Sequence, residues 1–394
     1  MVSGNIKIQA LRVRAVRVPM SEPHRTASGV VAESPLVLTD LITDQGIIGH
    51  SLVFTYTTLA LQPTADLIRN LEPLVAGQAL APRAMSERLA ARFRLLGQQG
   101  LTGIAMAAID MAAWDALARA HGVPLYQLLG GEPRAVRAYG AIGYDGPTES
   151  ARVAERWARR GFTGVKAKIG YSSMAEDRET IRAIRAAAGP EMSIMVDYNQ
   201  CLTAAEAIER IGALAGENLT WVEEPCRSHD FASHAEVTRQ VAAPIQAGEN
   251  WWGPRDFQTA IDLHSTDYLM PDVMKVGGVT GWLDVAAIAA ARGLRVSNHL
   301  WPEISAHLLS VTPTAHWLEW ADWWHPVIAQ PLEVGGDGWA TPSAAPGSGV
   351  EWNEAAVKEF LVKGVPPRDK GLRSPYSKPI CHGRCLPYLR PHTW

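Results

Sequence analysis

Val165-Lys166-Ala167-Lys168 is the first of seven short apolar runs that each end in a chargeable residue. Amphipathic, alanine-rich segments separate the runs, which recur every roughly 20 to 30 residues, the length of one strand and one crossover helix. The pattern predicts an α/β fold with a (β/α) barrel of the TIM type. The other six runs are Ile194-Met195-Val196-Asp197, Trp221-Val222-Glu223, Ile245-Gln246-Ala247-Gly248-Glu249, Leu269-Met270-Pro271-Asp272, Val296-Ser297-Asn298-His299 and Trp317-Leu318-Glu319.

Charged strand ends would all lie at one mouth of such a barrel, because the carboxyl ends of its strands converge there. Unpaired buried charge costs several kcal/mol. A purely structural role would therefore not explain why successive strands each end in a chargeable residue. Charged residues at the carboxyl ends of barrel strands are typical of catalysis. The seven runs therefore predict one shared site.

Length and composition set the broad class. The 394 residues favour two domains, and 47% hydrophobic and 20% charged residues are ordinary globular values. A net charge of -3 favours neither nucleic acid nor an anionic membrane as partner. We expect no signal peptide at Met1 to Ala10 and no apolar run long enough to span a membrane. Four cysteines do not indicate a disulfide framework, so a reduced cytoplasmic protein is the expectation.

Residues 1–130 are predicted to form an α+β capping domain. Strands are expected over Ile6 to Val18 and Pro35 to Ile42, the latter in a hairpin with Gly46 to His50. Residues 20–34, rich in Ser, Pro and charge, are interpreted as a loop that acts as a substrate lid. Helical patterns follow around 59–74, 84–96 and 105–120.

The barrel is predicted to occupy residues 131–325, with Ala138 to Ile142 as its first strand. Residues 326–362 would return to the capping domain through a short helix near 353–362. The proline-punctuated, basic stretch 363–394 is interpreted as a poorly ordered extension. Its Cys381, His382 and Cys385 fall short of the four ligands of a tetrahedral zinc site.

Asp197, Glu223 and Glu249 end successive strands and would repel each other if they met without a cation. Oxygen ligands on one side with open positions on the other are typical of a magnesium site. The alternative is a set of salt bridges to Lys166 and Lys168, but two lysines do not neutralise three carboxylates.

Two candidate bases flank this predicted Mg²⁺ site. Lys166 and Lys168 share one strand face, and we expect their mutual repulsion beside a bound cation to lower at least one ammonium pKa, which makes Lys168 the candidate base. Asp272 would fix the tautomer of His299 and raise its basicity. The alternative for His299 alone is a core histidine bonded to a carbonyl.

A cation between two bases can support removal of the proton next to a carboxylate, with charge stabilised where an enolate forms. Glu319, if protonated, could donate a hydrogen bond to a carboxylate oxygen of the substrate. Asn199 could bind a hydroxyl on the same carbon. A base on each face would invert that carbon.

These residues resemble the enolase superfamily, and within it the mandelate racemase subgroup, from the first strand to about Val362. The resemblance implies that Asp197, Glu223 and Glu249 bind Mg²⁺, that Lys168 and the His299-Asp272 pair are the bases, and that Lys166 and Glu319 contact the substrate. It also implies a homo-octamer. The matching motifs are Val165 to Gly170, Met195 to Gln200, Trp221 to Pro225, Gly248 to Trp251, Met270 to Lys275, Glu303 to His307 and Pro313 to Glu319.

The sequence departs from the subgroup where substrate is selected. The first barrel strand reads Tyr139-Gly140-Ala141 and lacks the serine that contacts the substrate carboxylate in the subgroup. The predicted lid contains His24 and Arg25 in place of valines; these side chains could bind polar substrate groups or form a solvated loop tip. Val31 and Tyr56 retain an apolar wall. Tyr139, His24, Arg25, Val31, Tyr56 and Asn199 are thus the candidate substrate-binding residues.

The predicted function is Mg²⁺-dependent racemisation of a 2-hydroxy acid, with mandelate or another aryl acid as the first candidate. A sugar-acid dehydratase using the same residues is the alternative, favoured by the polar lid. A binding protein with a degenerate site is a third interpretation, but no catalytic position is missing.

Overall fold

The computed structural model describes residues 6–26 and 29–362. The predicted extension 363–394 and Ala27 and Ser28 lie outside the described residues. The residues up to Leu361 form one contact unit, so the predicted boundary at residue 130 stays a prediction.

An antiparallel sheet in the order β1-β2-β3 opens the chain. Four helices follow it, and the third packs directly on β3, where a Cβ on Gly49 would lie 2.0 Å from the carbonyl oxygen of Ala112. The strands are β1 (Ile8–Thr26), β2 (Gly29–Thr43) and β3 (Ile48–Phe54), and the helices are α1 (Thr58–Val75), α2 (Pro82–Arg92), α3 (Leu101–His121) and α4 (Leu125–Leu128).

Helix α3 is longer than predicted and, by length and composition alone, is apolar enough to cross a membrane. The expectation that no run reaches that length is therefore wrong. Most of the helix is buried inside the protein, with small side chains on nearly every face. Its apolar character is accounted for by its position between the sheet and the barrel helices.

The predicted lid loop is wrong in its structure: residues 20–26 continue β1 and residues 29–34 belong to β2, so the two segments form paired strands. His24 pairs with Val31, and Arg25 with Val30, beyond a register shift. Residues 20–23 face only Ala32 across that shift, and such a bulge bends a hairpin. Pro19 and Pro23 obscured the strand pattern, because proline is tolerated at bulges and edges.

Eight parallel strands form the predicted barrel, in the order β10-β9-β8-β7-β6-β5-β4-β11. The bridge between Val296 and Ala315 joins β10 to the segment before β11, which closes the ring. The strands are β4 (Val136–Ile142), β5 (Gly164–Lys168), β6 (Ser193–Asp197), β7 (Leu219–Glu223), β8 (Ile245–Ala247), β9 (Tyr268–Leu269), β10 (Arg295–Val296) and β11 (Trp317–Trp320).

A helix crosses from each barrel strand to the next. Most of these helices begin at recognisable signals, such as the capping box of Thr203 and Glu206. They are α5 (Gly146–Arg159), α6 (Met174–Ala188), α7 (Ala204–Ala213), α8 (Phe231–Gln240), α9 (Gly253–Asp262), α10 (Gly278–Arg292) and α11 (Pro302–Ser310). The fold class predicted from the sequence, a modified barrel with an α+β cap, is confirmed.

The segment after β11 returns to the first sheet. It contains a 3₁₀ turn (His325–Val327), strand β12 (Trp339–Ala340) antiparallel to β4, and helix α12 (Glu354–Phe360). Leu361 bridges Val16 of β1, and the indole nitrogen of Trp352 donates to Asp40 Oδ1 at 2.6 Å. The two ends of the described chain thus meet on the capping sheet.

Candidate active site

Three buried carboxylates meet at the mouth of the barrel. Asp197 ends β6, Glu223 ends β7 and Glu249 lies two residues beyond β8. One carboxylate oxygen from each lies within 4.8 Å of the others. Three negative charges this close are stable only with compensating cations, and a hard divalent ion prefers oxygen donors. The residues present therefore fit such a cation.

Neighbouring donors hold each carboxylate of this triad. Asp197 Oδ1 accepts from the backbone nitrogen of Asn199 at 2.7 Å. Glu223 Oε2 accepts from the indole of Trp221 at 3.0 Å and from Gln246 at 3.2 Å. Asp197 and Glu223 are also paired with lysines, so the triad is held by fixed donors before any cation binds.

The lysines Lys166 and Lys168 point into the mouth from β5. Lys166 Nζ lies 2.5 Å from Glu223 and 2.8 Å from Glu319. Lys168 Nζ lies 2.9 Å from Asp197 Oδ2 and 2.7 Å from Asn199 Oδ1. The salt bridges considered as an alternative to a cation site are thus present, but Glu249 has no lysine within salt-bridge distance in the described residues.

The residues of the chain alone raise the pKa values of both lysines, whereas the prediction concerns these lysines beside a bound cation. Burial alone would lower the pKa of Lys168, but the attraction of Asp197 exceeds the repulsion of Lys166 and raises it. Burial opposes protonation of Lys166 too, and Glu223 and Glu319 raise its pKa well above the usual value. The prediction treated salt bridges to these carboxylates only as an alternative to a cation site, and the structure has them.

His299 lies on the far side of the triad. Its Nδ1 is 2.7 Å from Asp272 Oδ2, and its Nε2 is 3.4 Å from Glu249 Oε2. Burial lowers the pKa of His299, but Glu249 and the hydrogen bond to Asp272 outweigh burial and raise it. Asp272 is itself fixed by the backbone nitrogen of Met274, which donates to Oδ1 at 2.7 Å. The predicted pair is thus assembled.

Glu319 differs from its predicted state. Burial would raise its pKa, but Lys166 and His299 attract the carboxylate and lower the pKa below the usual value. The condition for the predicted hydrogen bond, a protonated Glu319, is therefore disfavoured by its pairing with Lys166. Its Oε2 accepts from the backbone nitrogen of Leu300 at 2.9 Å.

Lys168 and His299 stand on different sides of the ring. Four strands separate β5 from β10 in one direction, and two, β4 and β11, in the other. Lys168 contacts the Asp197 end of the triad and His299 contacts the Glu249 end. A small acid bound at the triad would thus have one candidate base near each end.

Two of the predicted substrate-binding residues face this mouth from the capping domain. The Tyr56 hydroxyl lies 3.5 Å from Asp272 Oδ2, and the nearby carboxylates together with burial raise its pKa. His24 is half-buried, and burial followed by the charges of Lys168 and Lys166 lowers its pKa to about 3. His24 is therefore neutral near pH 7. Val31 is its cross-strand partner.

Two others lie elsewhere. Arg25 is exposed, and its guanidinium lies 3.4 Å from Asp145 in the loop after β4, so it ties the hairpin to the barrel rather than facing the triad. Tyr139 is fully buried in the barrel interior against Trp221 and Trp317. Its ring centroid lies 5.6 Å from Lys166 Nζ, so it lies behind that lysine and not on a substrate surface.

An aromatic arc that the sequence did not predict covers the mouth. It runs through contacting rings from His24 to Trp323 (5.0 Å between centroids), Phe54 (5.8 Å) and Tyr56 (4.6 Å). No periodicity in Trp320 to Trp324 shows which indole faces the site. The buried indoles of Trp301 and Trp320 donate to the carbonyl groups of Leu52 and Leu332.

A groove of about 790 Å³ lies between α2 and α3 on one side and α9 and α10 on the other. Among the described residues that line this groove, Lys275 is the one that also contacts a neighbour of the triad, Asn250. Size alone therefore does not identify the site, and the carboxylate triad does.

Comparison with known proteins relates this arrangement to enzymes that have been characterised. Residues 8–130 match the family model for the N-terminal domain of mandelate racemase and muconate lactonizing enzyme, and residues 149–356 match the enolase C-terminal domain-like model. D-galactarolactone cycloisomerase from Agrobacterium fabrum is 30% identical over 382 residues, 90% of this chain and 99% of that one. L-talarate/galactarate dehydratase from Salmonella typhimurium is 32% identical over 242 residues, 61% of each chain.

A solved enolase from Bradyrhizobium, complexed with magnesium and mandelic acid, is 44% identical with a TM-score of 0.89. The match covers 92% of this chain and all of that one. With both halves matched by family models and the fold reproduced throughout, the chain belongs to the mandelate racemase/muconate lactonizing enzyme family of the enolase superfamily.

Proposed function

We propose that this enzyme racemises a 2-hydroxy carboxylic acid by moving the α-proton between two bases. The observation that carries the proposal is the placement of Lys168 and His299 at opposite ends of one carboxylate triad. A single base could exchange the α-proton, or support an elimination, on one face of the substrate only. Two opposed bases allow inversion of the α-carbon. The wider chemistry, Mg²⁺-dependent proton abstraction from a carbon next to a carboxylate, is shared across the family.

The triad of Asp197, Glu223 and Glu249 would hold Mg²⁺, as supported by its oxygen donors and by the magnesium in the Bradyrhizobium complex. When bound, the cation stabilises negative charge that develops on the substrate carboxylate and competes with Lys168 for Asp197. Lys166, held between Glu223 and Glu319, would donate to the same carboxylate group.

The proton itself would be carried by residues of the chain. Lys168 would remove or return it on one face, while Asn199, 2.7 Å from the ammonium, would orient the 2-hydroxyl group. His299 would serve the other face through Nε2, because Asp272 holds Nδ1 and so fixes the tautomer. Glu319 would act through its ion pair with Lys166, by holding the ammonium group that donates to the substrate carboxylate.

An aryl group is the favoured side chain of the substrate. The arc of His24, Trp323, Phe54 and Tyr56 spans the mouth, and stacked or edge-on rings bind a planar group better than a hydrated polyol. The mandelic acid in the Bradyrhizobium complex supports the same class. Our first candidate is therefore mandelate or a ring-substituted mandelate.

Dehydration of a sugar acid is the second candidate, and His24 is the observation that favours it. Its neutral imidazole has no hydrogen bond within the described residues and adds a polar contact to an otherwise apolar arc. The relatives from Salmonella typhimurium and Agrobacterium fabrum act on galactarate and a galactarolactone. In this reaction Lys168 would take the α-proton and His299 would protonate a leaving β-hydroxyl group.

Incubation with Mg²⁺ in D₂O against a panel of aryl 2-hydroxy acids and aldarates distinguishes the two by NMR. We expect deuterium at the α-carbon of both enantiomers of an aryl acid, with loss of optical rotation. A 2-keto product from an aldarate, with no exchange in aryl acids, would establish the dehydratase instead. Exchange with neither class would contradict both proposals.

His24→Val should separate the apolar contact that the aromatic arc provides from the polar contact that the imidazole adds. With an unsubstituted aryl acid we expect kcat/KM to stay within about threefold, since the apolar contact is retained. With a substrate whose distal hydroxyl group bonds the imidazole, kcat/KM should fall roughly 5- to 10-fold, the value of one neutral hydrogen bond. Arg25→Ala is the matched control, because Arg25 is turned to Asp145. Equal losses for both substrate classes would exclude His24 from substrate selection.

The predicted cytoplasmic location and homo-octameric assembly stay predictions. The small-molecule acid is the partner that the mouth is proposed to bind.

A further inference from the structure

Lys275 is a buried lysine that neither pairs with the triad nor takes part in the proposed proton transfer. It lies three residues after Asp272, in the segment that leads to α10. Its ammonium nitrogen donates to Asn250 Oδ1 at 2.7 Å. Lys275 thus contacts an amide immediately next to a carboxylate of the triad.

The other end of that amide contacts two carboxylates. Asn250 Nδ2 donates to Glu249 Oε1 at 3.0 Å and to Glu224 Oε2 at 2.8 Å. A lysine has only donors, so its presence forces the amide oxygen toward Lys275 and the amide nitrogen toward the carboxylates. The charge of Lys275 therefore decides which way the Asn250 side chain faces.

Charge balance gives this arrangement a reason. Glu224 is fully buried, and within the described residues it has no cation at salt-bridge distance and no partner for Oε1. Lys166 and Lys168 are engaged by Glu223, Glu319 and Asp197. Lys275 is a further lysine whose charge acts on Glu224, and Asn250 hydrogen-bonds to both side chains.

Lys275 also borders the His299 side of the mouth. Its Nζ lies 4.8 Å from the centroid of the Tyr56 ring, a distance typical of a cation–π contact. The hydroxyl of that tyrosine is 3.5 Å from Asp272 Oδ2, and the backbone nitrogen of Lys275 donates to Asp272 Oδ1 at 3.3 Å. The Lys275 side chain therefore contacts Asn250, which bonds Glu249, and Tyr56, which lies beside Asp272, the partner of His299.

We propose that Lys275 is a positioning residue: through Asn250 it orients Glu249 for cation binding, and through Tyr56 it supports Asp272. It acts through these neighbours and does not touch the reacting atoms. The proposal rests on the proposed function only in taking the triad as the Mg²⁺ site. Without the ammonium, the Asn250 amide can rotate and present its oxygen to Glu249, which would displace that carboxylate from the triad.

The test is Mg²⁺ titration of the full chain by isothermal calorimetry, without substrate. For Lys275→Met we expect Mg²⁺ affinity to fall 10- to 100-fold, the usual cost of losing a group that orients a metal ligand. Asn250→Ala should give a loss of the same size. In the double variant the losses should not add, because both changes break one chain of contacts. Lys358→Met, at an exposed lysine of α12, is the matched control and should bind Mg²⁺ as the wild type does.

A purely structural role for Lys275 would give a different result. The thermal midpoint of the Mg²⁺-free Lys275→Met protein would fall while its folded form kept the wild-type Mg²⁺ affinity, and that result would overturn the proposal. Additive losses in the double variant would overturn it too. If Lys275→Met does not fold, Asn250→Ala decides the matter, since wild-type affinity in that variant excludes the relay.

The outcome is separable from the reaction that the enzyme catalyses. A dehydratase in place of a racemase would leave the Mg²⁺ titration unchanged. A wild-type protein that binds no Mg²⁺ would overturn the relay and the cation site together, whatever turnover is measured.

Discussion

Lys168→Ala should abolish racemisation yet leave α-proton exchange in one enantiomer. The remaining base, His299, stands near the Glu249 end of the triad and is held there by Asp272. Loss of a general base typically costs 10²- to 10⁴-fold, so the enantiomer served by Lys168 should exchange more slowly by that factor. Each pure enantiomer is incubated in D₂O with Mg²⁺, and deuterium at the α-carbon is followed by NMR.

His299→Asn provides the matched variant, with the opposite enantiomer expected to keep exchange. Asparagine preserves a polar contact to Asp272, so the comparison concerns proton transfer more than folding. Equal loss of exchange in both enantiomers of either variant, with Mg²⁺ binding intact, would show that the two residues do not serve opposite faces. The assignment of bases would then fail even if the metal site holds.

Glu223→Gln should remove both turnover and stabilisation by Mg²⁺. Glutamine keeps the shape and the hydrogen-bonding distance to Trp221 but removes one of three charges from the triad. A cation that binds only the folded protein stabilises it by about 2.7 kcal/mol at a concentration 100 times its Kd. The wild-type melting temperature should therefore rise on addition of Mg²⁺, and that of the variant should stay nearly constant.

The control for this experiment is Glu236→Gln, which changes an exposed carboxylate on α8 that accepts from Gln240. It should retain both the shift in melting temperature and the turnover. A Glu223→Gln protein that is still stabilised by Mg²⁺ to the wild-type extent would contradict the assignment of the triad. The measurement is repeated with Na⁺ at equal ionic strength, so that a non-specific effect of salt on the melting temperature can be told apart from Mg²⁺ binding.

The sequence predicted the parts of this protein that follow from repetition. Charged residues at the ends of recurring apolar runs located Asp197, Glu223 and His299 correctly, because parallel strands with crossover helices must bring their carboxyl ends together. The barrel and the capping sheet follow from the same periodicity. A side chain at a strand end has one direction in which to point, and this is why the assembly of the site could be predicted.

What the sequence did not reveal depends on partners that are distant along the chain. Arg25 pairs with Asp145, and Tyr139 lies inside the barrel, because the hairpin bends and β4 alternates its faces. The ion pairs of Lys168 with Asp197 and of Glu319 with Lys166 were not predicted for a related reason. Each depends on the nearest opposite charge, and sequence spacing does not give that distance.

The hairpin of β1 and β2 has a practical consequence. It reaches the mouth from a sheet that contributes none of the three clustered carboxylates, and its two arms leave that sheet side by side at Val18 and Ser34. Residues 19–34 can thus be exchanged as a single cassette, transplanted from a homologue, when the contact of Arg25 with Asp145 is kept. Altered substrate range in such chimeras, at unchanged Mg²⁺ affinity, would make this arm a natural place to begin directed evolution.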